Sequence, residues 1–211
     1  MPYMEDSLHL KLHRVLKIMH KATVIGNTYY GIPIMKSPLD AWVYREIIHK
    51  TRPDVIVEIG SKWGGSALML QHTLDILEQG RVISVDINQS IIRDEARKHP
   101  KITFLEGDAL EMHDEIDARI ARWEKVMIVE DSAHTYSFTG AILRKYSHMI
   151  RSGYYFIIED TIMNHGLVRT PEKDPYKAVE EFVIEDPSFV IDRDMERFLI
   201  TYNPKGYLRK L

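Results

Sequence analysis

Five short apolar runs, each the length of one strand and each with a carboxylate at or beside its end, limit the fold more than any other feature. They cover residues 54–59, 81–86, 102–106, 125–130 and 154–159, and their acids are Glu58, Asp86, Glu106, Glu130 and Glu159. The stretches between them have helical length and period. Strand-length runs alternating with helical segments predict an α/β domain with a mostly parallel sheet. Ahead of the first run, the spacing predicts a helix over residues 4–20. A loop follows with Gly26, Asn27, Tyr29, Tyr30, Gly31 and Pro33, then a helix to Thr51 that Ser37 caps and Pro38 opens. Near the C-terminus, residues 189–193 and 197–202 are too close for a crossover helix, so they predict an antiparallel hairpin closing one sheet edge. Residues 161–174, with Gly166 and Pro171, form the longest stretch without structure, a length typical of a lid.

Size and charge narrow the range of functions. The 211 residues are 45% hydrophobic, enough for one core, so the expectation is a single domain with an N-terminal helical cap (1–52) and a core (53–203). Net charge is −3 and the basic residues are dispersed, which points away from nucleic acid and from an anionic membrane. There is no cysteine, which removes disulfides, thiolate nucleophiles and zinc-thiolate sites. Any metal must therefore sit on oxygen and nitrogen. The N-terminus has no apolar h-region and no run approaches membrane-spanning length, so a soluble, cytoplasmic protein is expected.

Ligands of open parallel sheets bind beyond the carboxyl ends of the strands. After the first run comes a glycine turn into a helix, Glu58-Ile-Gly60-Ser61-Lys62-Trp63-Gly64-Gly65-Ser66. Its glycines allow a tight turn and close backbone approach, and Ser66 stands beside the free N–H groups of the helix start. The second run ends at Asp86, 22 residues past Gly64, where an acid can meet a ribose diol. The third is followed by Gly107-Asp108-Ala109, which can meet a base edge. The fourth and fifth end in the acidic pairs Glu130-Asp131 and Glu159-Asp160, with His134 three residues after Asp131. Paired carboxylates at the ends of buried strands suit a cation. Taken singly, Asp131 or Asp160 would read as a helix cap, and His134 as a solvent-facing histidine.

The glycine turn, Asp86 and the Gly107 turn resemble class I S-adenosylmethionine-dependent methyltransferases, over about residues 54–202. The resemblance implies a Rossmann-like, mostly parallel seven-stranded sheet with one antiparallel strand and helices on both faces. It implies a cofactor site built from Glu58, Gly60, Ser61, Gly64, Ser66, Asp86, Asp108, Ala109 and Asp131. Asp131-Ser-Ala-His134-Thr-Tyr136 followed by Glu159-Asp160-Thr161 is similar to the metal-dependent subgroup that includes macrolide-sugar O-methyltransferases and cephalosporin hydroxylase-like proteins. Gly31-Ile-Pro-Ile ahead of the Pro-started helix, and Arg52-Pro-Asp-Val, resemble the latter. This implies Mg²⁺ on Asp131, Glu159 and Asp160, with His134 as general base. Glu130 is left out as a structural acceptor. Three carboxylates leave octahedral positions open for an acceptor hydroxyl or diol and for water.

The expected reaction is methyl transfer to a hydroxyl of a small polar acceptor, a sugar or a natural-product intermediate. The first helix and the Tyr29-Tyr30 loop lie outside the sheet pattern, free to pack over the cleft or across a homo-oligomer. Two alternatives stand. An oxidoreductase of the hydroxylase-like type meets the objection that GxGxxG is absent, as is a two-histidine iron set. A non-catalytic S-adenosylmethionine-binding partner protein would not need the base and metal set.

Overall fold

The computed structural model describes residues 3–165, 167 and 174–211. Gly166, Arg169 and Pro171 of the expected lid lie outside them. Helix α1 (Leu12–Gly26) begins later and ends later than the helical period suggested. Residues 4–9 form turns instead, and Lys11 precedes the helix with extended backbone and no capping side chain, so no local signal marks the start. Two short strands, β1 (Thr28–Tyr29) and β2 (Ile32–Pro33), pair across Tyr30-Gly31. Helix α2 (Pro38–Thr51) starts as expected: the Ser37 side chain accepts the Asp40 N–H at 3.4 Å.

The core then alternates β3 (Val55–Ile59), α3 (Gly65–Ile76), β4 (Arg81–Asp86), α4 (Asp94–Arg97), β5 (Ile102–Glu106), α5 (Ala109–Asp117), β6 (Val126–Glu130), α6 (Tyr136–Tyr146), β7 (Tyr155–Ile158), α7 (Pro175–Glu185), β8 (Phe189–Ile191) and β9 (Tyr207–Lys210). Seven strands form one sheet in the order β5-β4-β3-β6-β7-β9-β8. All neighbours from β5 to β7 are parallel, and β9 is antiparallel to both β7 and β8. From β3 the chain steps outward one way to β4 and β5, then returns to the other side of β3 with β6. The switch point where ligands bind in such sheets therefore lies between the carboxyl ends of β3 and β6.

Every residue of β3, β6 and β7 is buried, as strands with both faces covered require. One face packs Ile56, Val82 and Met127 under Tyr44, Ile47 and Leu70 from α2 and α3. The other packs Val57, Ile83, Ile128 and Phe156 under Ile116, Leu143, Tyr146 and Phe182 from α5, α6 and α7. Among the described residues no helix is long and apolar enough to cross a membrane.

The C-terminal edge corrects the expected hairpin. The partner of β8 is residues 207–210, not 197–202, and a 3-10 turn occupies Arg193–Glu196. Residues 201–202 are drawn elsewhere by Asp40, a buried carboxylate on α2. It accepts from the Thr201 hydroxyl, from the Tyr202 N–H at 2.9 Å and from the Tyr207 hydroxyl at 2.8 Å. Tyr207 and Leu208, both fully buried, carry the strand in their place.

A second buried acid lies within the sheet. Glu58 is wholly enclosed and accepts from the Ser84 hydroxyl of the neighbouring strand. Burial pushes its carboxyl up to about 7, against the lowering influence of Lys36, Ser66 and Ser84.

Two measurements test these buried acids. Asp40→Ala strands three donors, and should cost roughly 2 to 4 kcal/mol in urea unfolding; a loss within measurement error would disprove the clamp. Glu58 binds its proton more tightly folded than unfolded, so its contribution to stability falls as pH rises from about 4.3 to about 7. Glu58→Gln should remove a decline on the order of 3 kcal/mol over that window. An unchanged pH slope would show that Glu58 is not the titrating group.

Candidate active site

At the switch point the turn after β3 is pressed against the end of β6. A Cβ on Gly60, whose φ is +103°, would lie 2.0 Å from the Asp131 carbonyl oxygen, so only glycine fits there. The backbone ladder runs past the strand ends here: Gly60 N–H donates to Val85 at 2.8 Å and Asp131 N–H donates to Ile59 at 2.8 Å. Asp86 then shapes the turn, its Oδ2 accepting the N–H groups of Ser61 at 2.8 Å and Lys62 at 2.9 Å. Its Oδ1 accepts the Asn88 N–H at 3.1 Å. Oδ1 keeps a lone pair for a further donor. Ser61 meets the Ser84 hydroxyl at 2.6 Å. Asp108 caps α5 by accepting the Leu110 N–H at 2.9 Å.

These parts enclose a cavity of about 410 Å³. Gly60, Ser61, Ser66, Asp86, Asp108, Ala109, Asp131, His134 and Asp160 of the sequence-predicted set line it, as does Trp63. Glu58, Gly64 and Glu159 stand behind the wall. Gly64, with φ +82°, packs against Ala96 and Ile92. Lys62, also left-handed at φ 44°, reaches over the Trp63 ring with its ammonium 4.5 Å from the centroid.

The acids meet at the cavity's inner end. His134 Nε2 lies 3.6 Å from Asp131 Oδ1 and 3.5 Å from Asp160 Oδ2. Among the described residues, these three form the group of potential metal donors within 4.8 Å of one another. His134 and Asp160 both have left-handed backbone, φ 49° and 51°, unusual for non-glycine residues and the kind of strain that clusters at functional sites. Asn203 holds the Asp160 turn, its Oδ1 accepting the Asp160 N–H at 3.0 Å and its Nδ2 donating to the Tyr44 hydroxyl at 2.8 Å. His134 Nδ1 is buried with no hydrogen-bond partner.

Glu159 is not within that group of three. Its carboxylate is engaged by the buried ammonium of Lys36, which also sits 2.7 Å from Asp131 Oδ2. Burial alone would lower the Lys36 ammonium, but Asp131, Glu159 and Glu58 outweigh it and keep it protonated. Burial raises Glu159 well above the usual carboxylate range, and the Asp131 charge adds to that. Burial raises Asp160 too, opposed by His134. Glu130, also raised by burial, accepts from Ser132 Oγ at 2.6 Å and Thr139 Oγ1 at 3.0 Å, the structural acceptor it was expected to be.

Lys36 escaped sequence reading because a lone lysine before a capping serine carries no motif. The available signal was indirect: several buried acids with no cation assigned to them. Tyr136 and His165 are occupied away from the cluster. Tyr136 donates to Glu181 of α7, and His165 stacks on Tyr176 at 4.0 Å.

The cluster suits a hard divalent ion. Two carboxylate oxygens and an imidazole nitrogen converge, no thiolate is available, and the buried acids outnumber the buried cation.

The family model described as rhamnosyl O-methyltransferase/CmcI matches residues 22–211. A rhamnosyl O-methyltransferase of Mycobacterium leprae is 30% identical over 189 residues, covering 86% of this chain and 82% of the relative. One of Mycobacterium bovis is 28% identical over 190 residues, covering 86% and 77%. A solved CmcI structure in an Mg–SAM form superposes with TM-score 0.68 at 23% identity, over 88% of this chain and 76% of that one. The chain belongs to the rhamnosyl O-methyltransferase/CmcI family, and its fold is that of a class I S-adenosylmethionine-dependent O-methyltransferase.

Proposed function

We propose that this protein transfers the methyl group of S-adenosylmethionine to a hydroxyl of a small polar acceptor, foremost a sugar ring, with a divalent ion held by the acidic cluster and His134 as general base. The observation that carries the reading is convergence. A glycine-turn cradle and an Asp-His-Asp cluster open into one cavity at the sheet's switch point. The rhamnosyl O-methyltransferase relatives support a sugar as acceptor, and the Mg–SAM form of CmcI supports the cofactor pair.

Each residue has a task in this reading. Asp86, oriented by three backbone N–H groups, accepts from a ribose hydroxyl. The free N–H groups at the start of α3, beside Ser66, face the anionic end of the cofactor. Asp108 and Ala109 border the base, and Gly60 lets the backbone come close. Asp131, Glu159 and Asp160 would hold the ion. When bound, the donor supplies an electrophilic methyl group and the ion makes an acceptor hydroxyl more acidic. His134 Nε2 takes the hydroxyl proton as the oxygen gains the methyl, leaving S-adenosylhomocysteine. Imidazole is the side chain most often used for such a proton transfer.

A second reading for His134 rests on its nitrogen lying as close to both carboxylates as a third ligand would. His134→Ala separates the two. As base, its loss should lower kcat by roughly 10²- to 10⁴-fold while calorimetric metal and S-adenosylhomocysteine affinities hold. As ligand, metal affinity falls with the rate. Wild-type protein that binds no S-adenosylhomocysteine would refute the cofactor assignment. Asp160→Ala that keeps full turnover in chelator would refute the metal.

The raised carboxyls add a pH test. Glu159 and Asp160 keep protons to higher pH than ordinary carboxylates, so protons compete with the ion. Mg²⁺ should raise the melting temperature more at about pH 8 than at about pH 5.5. Equal shifts would mean that these acids do not bind it.

A further inference from the structure

The proposed reaction leaves one patch of charge unused. Residues 7–39 hold Lys11, Arg14, Lys17, Lys21 and Lys36 and no Asp or Glu, so all 31 acidic residues of the chain lie outside them. The overall charge of −3 conceals that excess: the basic residues are dispersed over the chain as a whole, but not over this stretch. Apart from Lys36, these cations belong to α1 and the residue ahead of it. Steps of three, three and four positions keep Lys11, Arg14, Lys17 and Lys21 along one side of the helix, and all four are exposed. Other helices pair their exposed cations, Arg119 with Glu115 at 2.6 Å and Arg144 with Glu185 at 2.7 Å. Among the described residues none of the four on α1 is in an ion pair. Exposed apolar side chains flank the stripe, Leu8 and Leu12 at its start and Val24 and Ile25 at its end. The opposite face of the helix is already engaged. Leu16 packs with Ile162 and Tyr202, and the Thr23 hydroxyl meets the Tyr202 hydroxyl at 3.3 Å.

We propose that the outward face of α1, together with the turn before it, docks on an anionic lipid surface. The stripe matches such a surface in charge, since each Lys or Arg close to an acidic leaflet is attracted to it. The flanking leucines, valine and isoleucine match it in the second respect, because a lipid layer offers an apolar phase beneath its charged headgroups. Either signal alone binds weakly, and the two together give stable docking. A nucleic acid would answer the charge but has no use for apolar side chains at both ends of the stripe. Glu5 and Asp6, in the turns ahead of the helix, are the nearest acids along the chain and bound the patch on that side. The inner face fixes α1 to Ile162, two residues past Asp160, so a docked helix would hold the acidic end of the cleft close to the lipid. Lys11, Arg14, Lys17 and Lys21 all precede residue 22, where the family match begins, so the patch is a feature of this chain beyond its matched part.

The experiment is co-sedimentation of the full chain with vesicles, either of phosphatidylcholine alone or of phosphatidylcholine and phosphatidylserine in equal parts. Wild type should sediment with the mixed vesicles, stay in solution with the neutral ones, and be released by high salt, which screens surface charge. The triple variant Arg14→Gln/Lys17→Gln/Lys21→Gln should bind the mixed vesicles on the order of a hundredfold more weakly, about fivefold for each charge removed. The apolar variant Leu8→Asn/Ile25→Asn should bind them at least about tenfold more weakly. All five side chains are exposed, and circular dichroism checks that each variant keeps its fold. The salt titration of wild type needs no variant at all. Wild type that ignores mixed vesicles, or binds neutral ones as tightly, overturns the proposal, as does a triple variant that matches wild type. Tighter binding to a DNA duplex than to mixed vesicles, or an apolar variant that sediments like wild type, overturns the lipid as partner.

Discussion

The close approach of Gly60 to the Asp131 carbonyl joins two halves of the molecule that could otherwise vary independently. One half is the glycine turn after β3, shaped by Asp86 and fitted to a cofactor. The other is the end of β6, where Asp131 opens the acidic cluster. With no Cβ on residue 60 and the ladder running from Val85 through Gly60 and from Ile59 to Asp131, the two strand ends share one backbone framework. A displacement of either would therefore move the methyl donor relative to the groups that would hold the acceptor. Transfer between two bound molecules depends on that distance, since orientation alone can supply on the order of 7 to 11 kcal/mol of a barrier.

Charge is the second constraint. Glu58, Glu130 and Glu159 are buried and Asp160 is half-buried, all with carboxyls raised by desolvation, and each is treated differently. Glu130 is satisfied by hydroxyls and serves packing. Glu58 is only partly satisfied beneath the glycine turn. Glu159 is answered by Lys36, and Asp160 by the His134 side chain. Carboxylates at or near the ends of neighbouring strands thus end in distinct roles, decided by what the next element brings to them.

The parts legible in the sequence were those with a local cause. Alternating apolar runs gave away the parallel strands, Ser37-Pro38 the start of α2, and the glycine spacing the cradle, because each signal lies within a few residues of what it specifies. Long-range competition was illegible. Residues 197–202 have strand character, yet Thr201 and Tyr202 are claimed by Asp40, more than 150 positions away, and β9 forms further on. Lys36 finds Asp131 across 95 positions and Glu159 across 123, with no motif to announce it. Helix α1 shows a milder case: its period was visible, but with no capping residue its ends were not.

These long-range contacts explain how a strained site persists. Left-handed backbone at a non-glycine residue costs of order 1–3 kcal/mol and holds only where the surroundings enforce it. At Asp160 the enforcement comes from Asn203, which is fastened to Tyr44 on α2. Asp40, one turn earlier on that helix, fastens the chain on either side of Asn203 through Tyr202 and Tyr207. The acidic end of β7 is thus shaped by a clamp between the N-terminal cap and the C-terminal strand with the loop before it. The same cap supplies Lys36. The α/β core brings the carboxylates to one place, and the cap determines how they point and how much charge they present.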